Sequence, residues 1–330
     1  MRAVPRTTAL LLAALALAAT GGTTVSAAPA PAPKGTPKAA ALERVPDFGA
    51  NPGALSMYRY VPDGLSENRP VVVVLHGCTQ NAATYFDGAG WKKFADERGF
   101  AVVAPQQETA NNMNKCFNWF QSGDTARGRG EAASVQRMVE HTTQALKSDT
   151  SRVYVTGLSA GGGMTSALLA SYPDTYAGGA VVAGIPHGCA TSVVTAFTCM
   201  NPGVGKTPGA WGDLVRKAHP GYEGRRPTVS VWHGTADTTV VPANATESVD
   251  QWTDVLGADQ KPDATHDLPA GTTQSDHRDA NGTTVVRDYR VQGMPHGTPV
   301  APSEGCGKAG AHFPDTLCST AYITRDWGLA

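Results

Sequence analysis

The chain has 330 residues, 17% of them charged, with a formal net charge of −1. It carries no basic run, which argues against a surface built to bind a nucleic-acid backbone. Hydrophobic residues make up 41%, with 37 glycines and 23 prolines, which excludes a disordered chain and suits a loop-rich globular one.

Arg2 and Arg6 form a positive start, Ala9 to Ala19 is an apolar run too short to span a bilayer, and Val25-Ser26-Ala27 offers small residues for cleavage. Residues 1–27 therefore read as a signal peptide, and their removal takes the net charge from −1 to −3. Residues 28–41 are rich in Pro and Ala and read as a linker. Residues 42–330 are enough for one sizeable α/β domain, expected to be secreted and extracellular.

Met57 to Val61 alternates as an early strand. The run PVVVVL over 70–75 is apolar on both faces, the mark of a central strand, and it ends in His76-Gly77-Cys78-Thr79-Gln80. A helix is expected over 89–98, a strand over 100–105, and an amphipathic helix over 131–146 with Val135, Met138 and Leu146 on its apolar side. Residues 152–156 form the next strand and a helix begins at about Gly162. Strands follow over 179–183, 228–232 and 283–291, with a helix over 247–256. Between them, 187–226 is an insertion rich in Gly and Pro with a helix near 211–217; it reads either as a cap or as surface decoration. Strands alternating with helices predict an α/β fold with a mostly parallel central sheet and helices on both faces.

Between strand and helix stands Gly157-Leu158-Ser159-Ala160-Gly161, which fits the Gly-x-Ser-x-Gly nucleophile elbow. A Cβ at either glycine would clash with neighbouring backbone. A neutral serine needs a base, and the base an orienting acid, in the chain order Ser, Asp/Glu, His. Asp237 stands just past the strand over 228–232, and His296 follows the last strand in a glycine-flanked loop. His312 is the alternative base, while His266 and His277 fall in a polar stretch and read as solvated loop residues. The oxyanion formed on attack needs two amides, assigned to Ala160 and to Cys78 in the loop after the central strand. Trp119 reads equally as a core aromatic and as a substrate contact.

Six cysteines in a secreted chain favour disulfides. Short loops suggest Cys189–Cys199 and Cys306–Cys318, which leaves Cys78–Cys116 to brace the oxyanion loop. A metal site at His187 and Cys189 is the rival reading, disfavoured because metal-ligand spacings are lacking.

The segments LHGCTQNA, CFNWF, RGEAASVQRMV, SRVYVTGLSAGG, HGTADTTVVPAN, GMPHGTPV and RDWGL resemble the extracellular poly(3-hydroxybutyrate) depolymerase family of esterases. The resemblance covers nearly the whole chain after the linker. It implies an α/β-hydrolase fold, Ser159, Asp237 and His296 as the triad, an oxyanion amide from Cys78, and no metal or organic cofactor. It also implies an ester substrate, either a polyester and its oligomers or, through the related feruloyl and acetylxylan esterases, an esterified polysaccharide. No nucleic-acid or membrane partner is expected, and the chain is expected to act as a monomer. Many polymer-degrading members carry a further linker and substrate-binding domain, and neither is seen before Ala330. A non-catalytic binder on a hydrolase scaffold is the reading from another class, and the three residues in order argue against it.

Overall fold

Alternate residues of a strand face opposite sides of a sheet, so a strand buried on both sides must be apolar throughout. In the computed structural model, which describes residues 41–329, Val71–Leu75 (β3) is such a strand, with all five residues buried. Val71, Val73 and Leu75 enter one apolar layer, and Val72 and Val74 enter the other. The signal peptide expected over 1–27 and all but the end of the linker expected over 28–41 lie outside the described residues.

The other strands are Glu43–Val45 (β1), Ser56–Tyr60 (β2), Ala101–Gln106 (β4), Val153–Leu158 (β5), Gly178–Val182 (β6), Thr228–Gly234 (β7), Ala264–Leu268 (β8), Thr272–Arg278 (β9) and Thr284–Val291 (β10). They form one sheet of order β1-β2-β4-β3-β5-β6-β7-β10-β9-β8. From β4 to β10 the neighbours run parallel, while β1 and β2 at one edge and β9 and β8 at the other pair antiparallel. The sheet is therefore mixed, with the expected parallel block at its centre. The chain leaves β3 for β4 on one side and then crosses to β5 on the other. Such a reversal opens a crevice at the carboxyl ends of the strands.

The helices are Ala82–Gly88 (α1), Trp91–Arg98 (α2), Ser122–Thr125 (α3), Gly130–Leu146 (α4), Ala160–Ser171 (α5), Val193–Met200 (α6), Pro208–Ala218 (α7), Ala243–Leu256 (α8) and Ser319–Asp326 (α9). Helix α4 (Val135, Met138), helix α5 (Met164, Leu168) and helix α8 (Val249, Trp252) cover one face. Helix α1 (Phe86), helix α2 (Trp91, Phe94) and helix α9 (Ile323) cover the other. A third, smaller apolar cluster around Trp119, Phe120, Ile185 and Ala196 lies apart from both. The structure joins Cys78 to Cys116, Cys189 to Cys199 and Cys306 to Cys318.

Three features depart from the sequence reading. His266 and His277 are strand residues rather than loop residues: His266 on β8 is exposed as expected, whereas His277 on β9 is buried, with Nδ1 3.1 Å from the Asp259 carbonyl. Strand β9 buries Thr272, Gln274 and Asp276, so its inward face has no apolar period to read. Helix α6, inside the insertion, has no strong sequence signal because Val193, Val194, Thr195 and Thr198 are β-branched and weak helix formers. A capping box between Ser192 and Thr195 starts it, and the Cys189–Cys199 bond ties it down.

Candidate active site

The elbow is built by contacts that only glycine permits. A Cβ on Gly157 would stand 2.5 Å from the Gly161 carbonyl, and one on Gly161 would stand 2.3 Å from the Leu75 oxygen. This close approach bends the chain from β5 into α5 with Ser159 at φ 58°, ψ −118°. A non-glycine residue there is held in a costly conformation, of order 1–3 kcal/mol. The turn is pinned by Ser159 N donating to Val182 O at 2.9 Å and by Gly163 N donating to Ser159 O at 2.9 Å. The first amides of α5 and their partial positive charge lie beneath the serine.

Asp237 and His296 come from neighbouring strands. Strands β7 and β10 pair in parallel with Gly234 opposite Val291, so their following loops leave the sheet side by side. Gly293 N donates to Thr235 Oγ1 at 2.8 Å and Ala236 N to Met294 O at 3.1 Å, which lace the two loops together. Asp237 is buried; its Oδ1 accepts the Thr239 and Val240 amides, each at 2.9 Å. Its Oδ2 is 2.7 Å from His296 Nδ1. Burial alone would raise the carboxyl, but hydrogen bonds from His233 and His296, and their charge, hold it well below the usual carboxylate range. Bonding through Nδ1 fixes the ring so that Nε2 is free to face the cleft.

His233 is a neighbour of the candidate site that sequence reasoning missed. It is fully buried, with Nε2 2.7 Å from the Val240 oxygen and 3.4 Å from Asp237 Oδ2. It therefore braces the Asp237 loop from below. Its place four residues before the aspartate, at a strand end, is the only signal the sequence holds.

The loop after β3 is equally fixed. Gln80 closes it, its Oε1 accepting Gly77 N at 2.9 Å, while Thr79 takes φ 63° and donates its amide to Asn114 O at 2.6 Å. The disulfide from Cys78 reaches Cys116. Beneath lies His76, whose Nδ1 is 2.7 Å from Gly77 O and whose Nε2 accepts the Gln107 amide at 3.1 Å. That pattern requires a neutral ring protonated on Nδ1, and burial holds its pKa down to about 4.

A buried polar network extends this support. Glu131 on α4 accepts from Asn118 N and Asn118 Nδ2, each at 2.8 Å, and from Gln107 Nε2. Gln107 also donates to Cys116 O at 3.1 Å. Burial pushes the Glu131 carboxyl up to about 8, against the pull of these donors.

Ser159 and His296 line one cleft of about 520 Å³, which Cys78, Ala160 and His312 also line. Its apolar wall is Trp119, Phe120, Ile185, Val193, Phe197 and Met200, and its polar wall includes Gln80, Asn112, Asn114 and Thr239. Trp119 is 8% exposed, packs on Gly163 of α5 and borders the cleft, so the core and cleft readings meet in one ring. His312 stands beside His296 with ring centroids 6.3 Å apart, and the Asp237 bond goes to His296. The insertion divides: α6 walls the cleft, while α7 packs Trp211 and Val215 inward. Cys189 is bonded to Cys199, and among the described residues no group of three or more His, Cys, Asp or Glu side chains gathers to hold a metal ion.

A serine on a strand-to-helix elbow, with an aspartate and a histidine delivered by the ends of two later parallel strands, defines an α/β-hydrolase-fold protein. Residues 55–278 match the family described as esterase PHB depolymerase, and the chain belongs to that family of carboxylic ester hydrolases. It is 51% identical over 293 residues to poly(3-hydroxyalkanoate) depolymerase C of Paucimonas lemoignei, covering 88% of this chain and 70% of that one. It is 39% identical over 266 residues to feruloyl esterase B of Thermothelomyces thermophilus, covering 78% and 89%. Among solved structures it resembles the acetyl xylan esterase from Aspergillus awamori, with a TM-score of 0.75 and 27% identity over 88% of this chain and 100% of that one.

Proposed function

We propose that the protein is a secreted serine esterase that cleaves short-chain hydroxyalkanoate polyesters or their oligomers. The observation that carries the chemistry is the 2.7 Å contact between Asp237 and His296, in a cleft that His296 shares with Ser159. His296 Nε2 takes the Ser159 proton as Oγ bonds to the ester carbonyl carbon. The amides of Ala160 and Cys78 hold the oxyanion. Collapse expels the alcohol, which receives its proton from His296, and leaves an acyl-enzyme. Water activated by the same ring then releases the acid. Asp237 keeps the ring in the correct tautomer and stabilises the imidazolium that forms. Trp119 offers a flat apolar wall to the acyl or alcohol part.

The polyester reading is supported by the likeness to the Paucimonas lemoignei enzyme and by the apolar wall of the cleft. Similarity to feruloyl and acetylxylan esterases supports a second substrate class, esterified plant polysaccharide. Purified protein and its Ser159→Ala variant are assayed on p-nitrophenyl acetate and butyrate. The variant should lose at least about a thousandfold in kcat; equal rates would sink the serine mechanism. Clearing of a polyhydroxybutyrate suspension, beside release of ferulate or acetate from xylan, then chooses the substrate.

A further inference from the structure

A largely apolar cleft orients its ligand with a few placed polar groups. Among the residues that line this cleft, Ser159 and Gln80 are the polar ones that are buried, at 8% and 5% exposure. Ser159 is the proposed nucleophile. Gln80 uses only half of its side-chain amide within the fold. Its Oε1 accepts the Gly77 amide at 2.9 Å. Only the oxygen can accept, so this bond fixes which end of the group is nitrogen. The backbone amide of Gln80 also donates to Gly77 O at 3.3 Å, so backbone and side chain together fold the residue over the turn that carries Cys78. Nε2 has two protons to give, and no hydrogen bond among the described residues takes either of them. Nor is it one of the fully enclosed polar atoms left unpaired in their interior. In a buried side chain that borders the cleft, the opening left to Nε2 is the cleft itself.

The other polar side chains of the lining differ. Asn112 is committed within its own loop, with Oδ1 accepting the Asn114 amide at 3.0 Å and Nδ2 donating to Asn118 Oδ1 at 3.0 Å. Thr79, Asn114 and Thr239 are exposed. Gln80 also stands close to the elbow. Strands β3 and β5 pair with Leu75 opposite Gly157, so the turn from Gly77 to Gln80 and the elbow leave the sheet side by side. A Cβ on Gly77 would meet Gln80 Oε1 and Leu158 Cδ2, each at 3.4 Å. The Gln80 amide and the residue before Ser159 therefore converge on one point.

We propose that Gln80 is a substrate donor whose Nε2 hydrogen-bonds a carbonyl oxygen of the bound ester beside Ser159. The proposal rests on the ester-hydrolase reading of the cleft and adds a residue that sets orientation and specificity. An amide nitrogen only donates, so its partner must be an acceptor, and an ester supplies one in its carbonyl oxygen. The bond to Gly77 holds the group in place beforehand, so little freedom is lost when a substrate arrives. A ligand without a matching acceptor would leave a buried donor unpaired, which is how a hydrogen-bonding site rejects analogues.

The test exploits the two ends of the amide. Gln80→Glu keeps an acceptor for Gly77 N and replaces the NH₂ by a second oxygen. Gln80→Met removes both ends without adding charge. Folding is checked by urea unfolding. Values of kcat and KM are measured from pH 8 to 5 on p-nitrophenyl butyrate and on the methyl ester of a 3-hydroxybutyrate trimer. Each variant is compared with the parent at the same pH, which cancels the titration of His296 and His312, the ionisable side chains of the cleft lining. At pH 8 both variants should lose at least about tenfold in kcat/KM on the trimer. A similar loss on p-nitrophenyl butyrate would assign the donor to the scissile carbonyl, and a smaller one to its neighbour in the trimer. As pH falls, the carboxyl of Gln80→Glu takes up a proton and can donate again, so its deficit should shrink while that of Gln80→Met persists. A role in closing the turn alone predicts parent-like rates for Gln80→Glu. Parent-like kcat/KM on the trimer in either folded variant at pH 8, or a Gln80→Glu deficit that does not change with pH, would overturn the proposal. If the parent hydrolyses neither ester, the ester-hydrolase reading fails. Calorimetric binding of the trimer ester to Ser159→Ala and to Ser159→Ala/Gln80→Glu still decides the donor: about tenfold weaker binding to the second is expected, and no difference between them would overturn it.

Discussion

Ser159 sits in a left-handed backbone conformation that a non-glycine residue rarely adopts, and the close glycine contacts around it hold the chain there. Asp237 is set by four donors or near-donors, and its isosteric replacement is informative. In Asp237→Asn the two backbone amides can still be accepted, but an amide NH₂ then faces His296 and favours the wrong tautomer. A loss of about 10³–10⁴ in kcat with little change in KM is expected on p-nitrophenyl butyrate; a loss confined to KM would assign Asp237 to binding instead. His76 gives a prediction in pH. Its pKa is near 6.5 unfolded and about 4 folded, so below 6.5 the unfolded chain takes up a proton that the native ring refuses. Stability from this group is full above pH 6.5 and is lost as pH falls towards 4. Urea unfolding of the parent and His76→Gln from pH 7 to 4 should show a shallower acid loss in the variant; parallel curves would remove His76 from the account. The placement of Ser159, Asp237 and His296 after the ends of β5, β7 and β10 was legible because each follows a recognisable strand or fits a local motif. His233, Gln107 and Glu131 were not, because their partners lie in loops that only the fold brings near.

At the scale of elements, legibility followed burial. Strand β3 and helix α4 announce themselves by apolar period, whereas β8 and β9 bury polar or little surface and read as loop. Helix α6 was hidden by its β-branched residues; its cap, its disulfide and the burial of Ala196 and Cys199 hold it. That makes it separable from the core. Cys189→Ser/Cys199→Ser should cost about 2–3 kcal/mol at most, since the loop closed is short, and should speed proteolysis within 187–206. KM for oligomeric esters should rise more than kcat falls; resistance to protease equal to the parent would show that α6 holds without its bond. Helix α4 carries the opposite kind of dependence. In Glu131→Gln an NH₂ group must face at least one of the donors now satisfied, so a loss of about 1–3 kcal/mol is expected in chemical denaturation. An unchanged midpoint would mean the network is not under strain from its polar groups.

Across the whole molecule, the order of strands divides the chemistry into two halves. The proposed nucleophile and oxyanion amides come from the ends of β3 and β5, which are direct neighbours, and the proposed acid and base from the ends of β7 and β10, which are neighbours too. Strand β6 lies between the two halves, and every pairing from β5 to β10 is a fixed parallel register. The sheet therefore serves as the ruler that sets the separation of serine and histidine. The segment joining β6 to β7 starts and ends on paired strands, so its length and content are invisible to that ruler. Residues 187–226 are thus a place where the mouth can be rewritten, by insertion, deletion or exchange, while the machinery keeps its spacing. A single scaffold can in this way change the shape of its doorway while the spacing of its strand ends stays fixed.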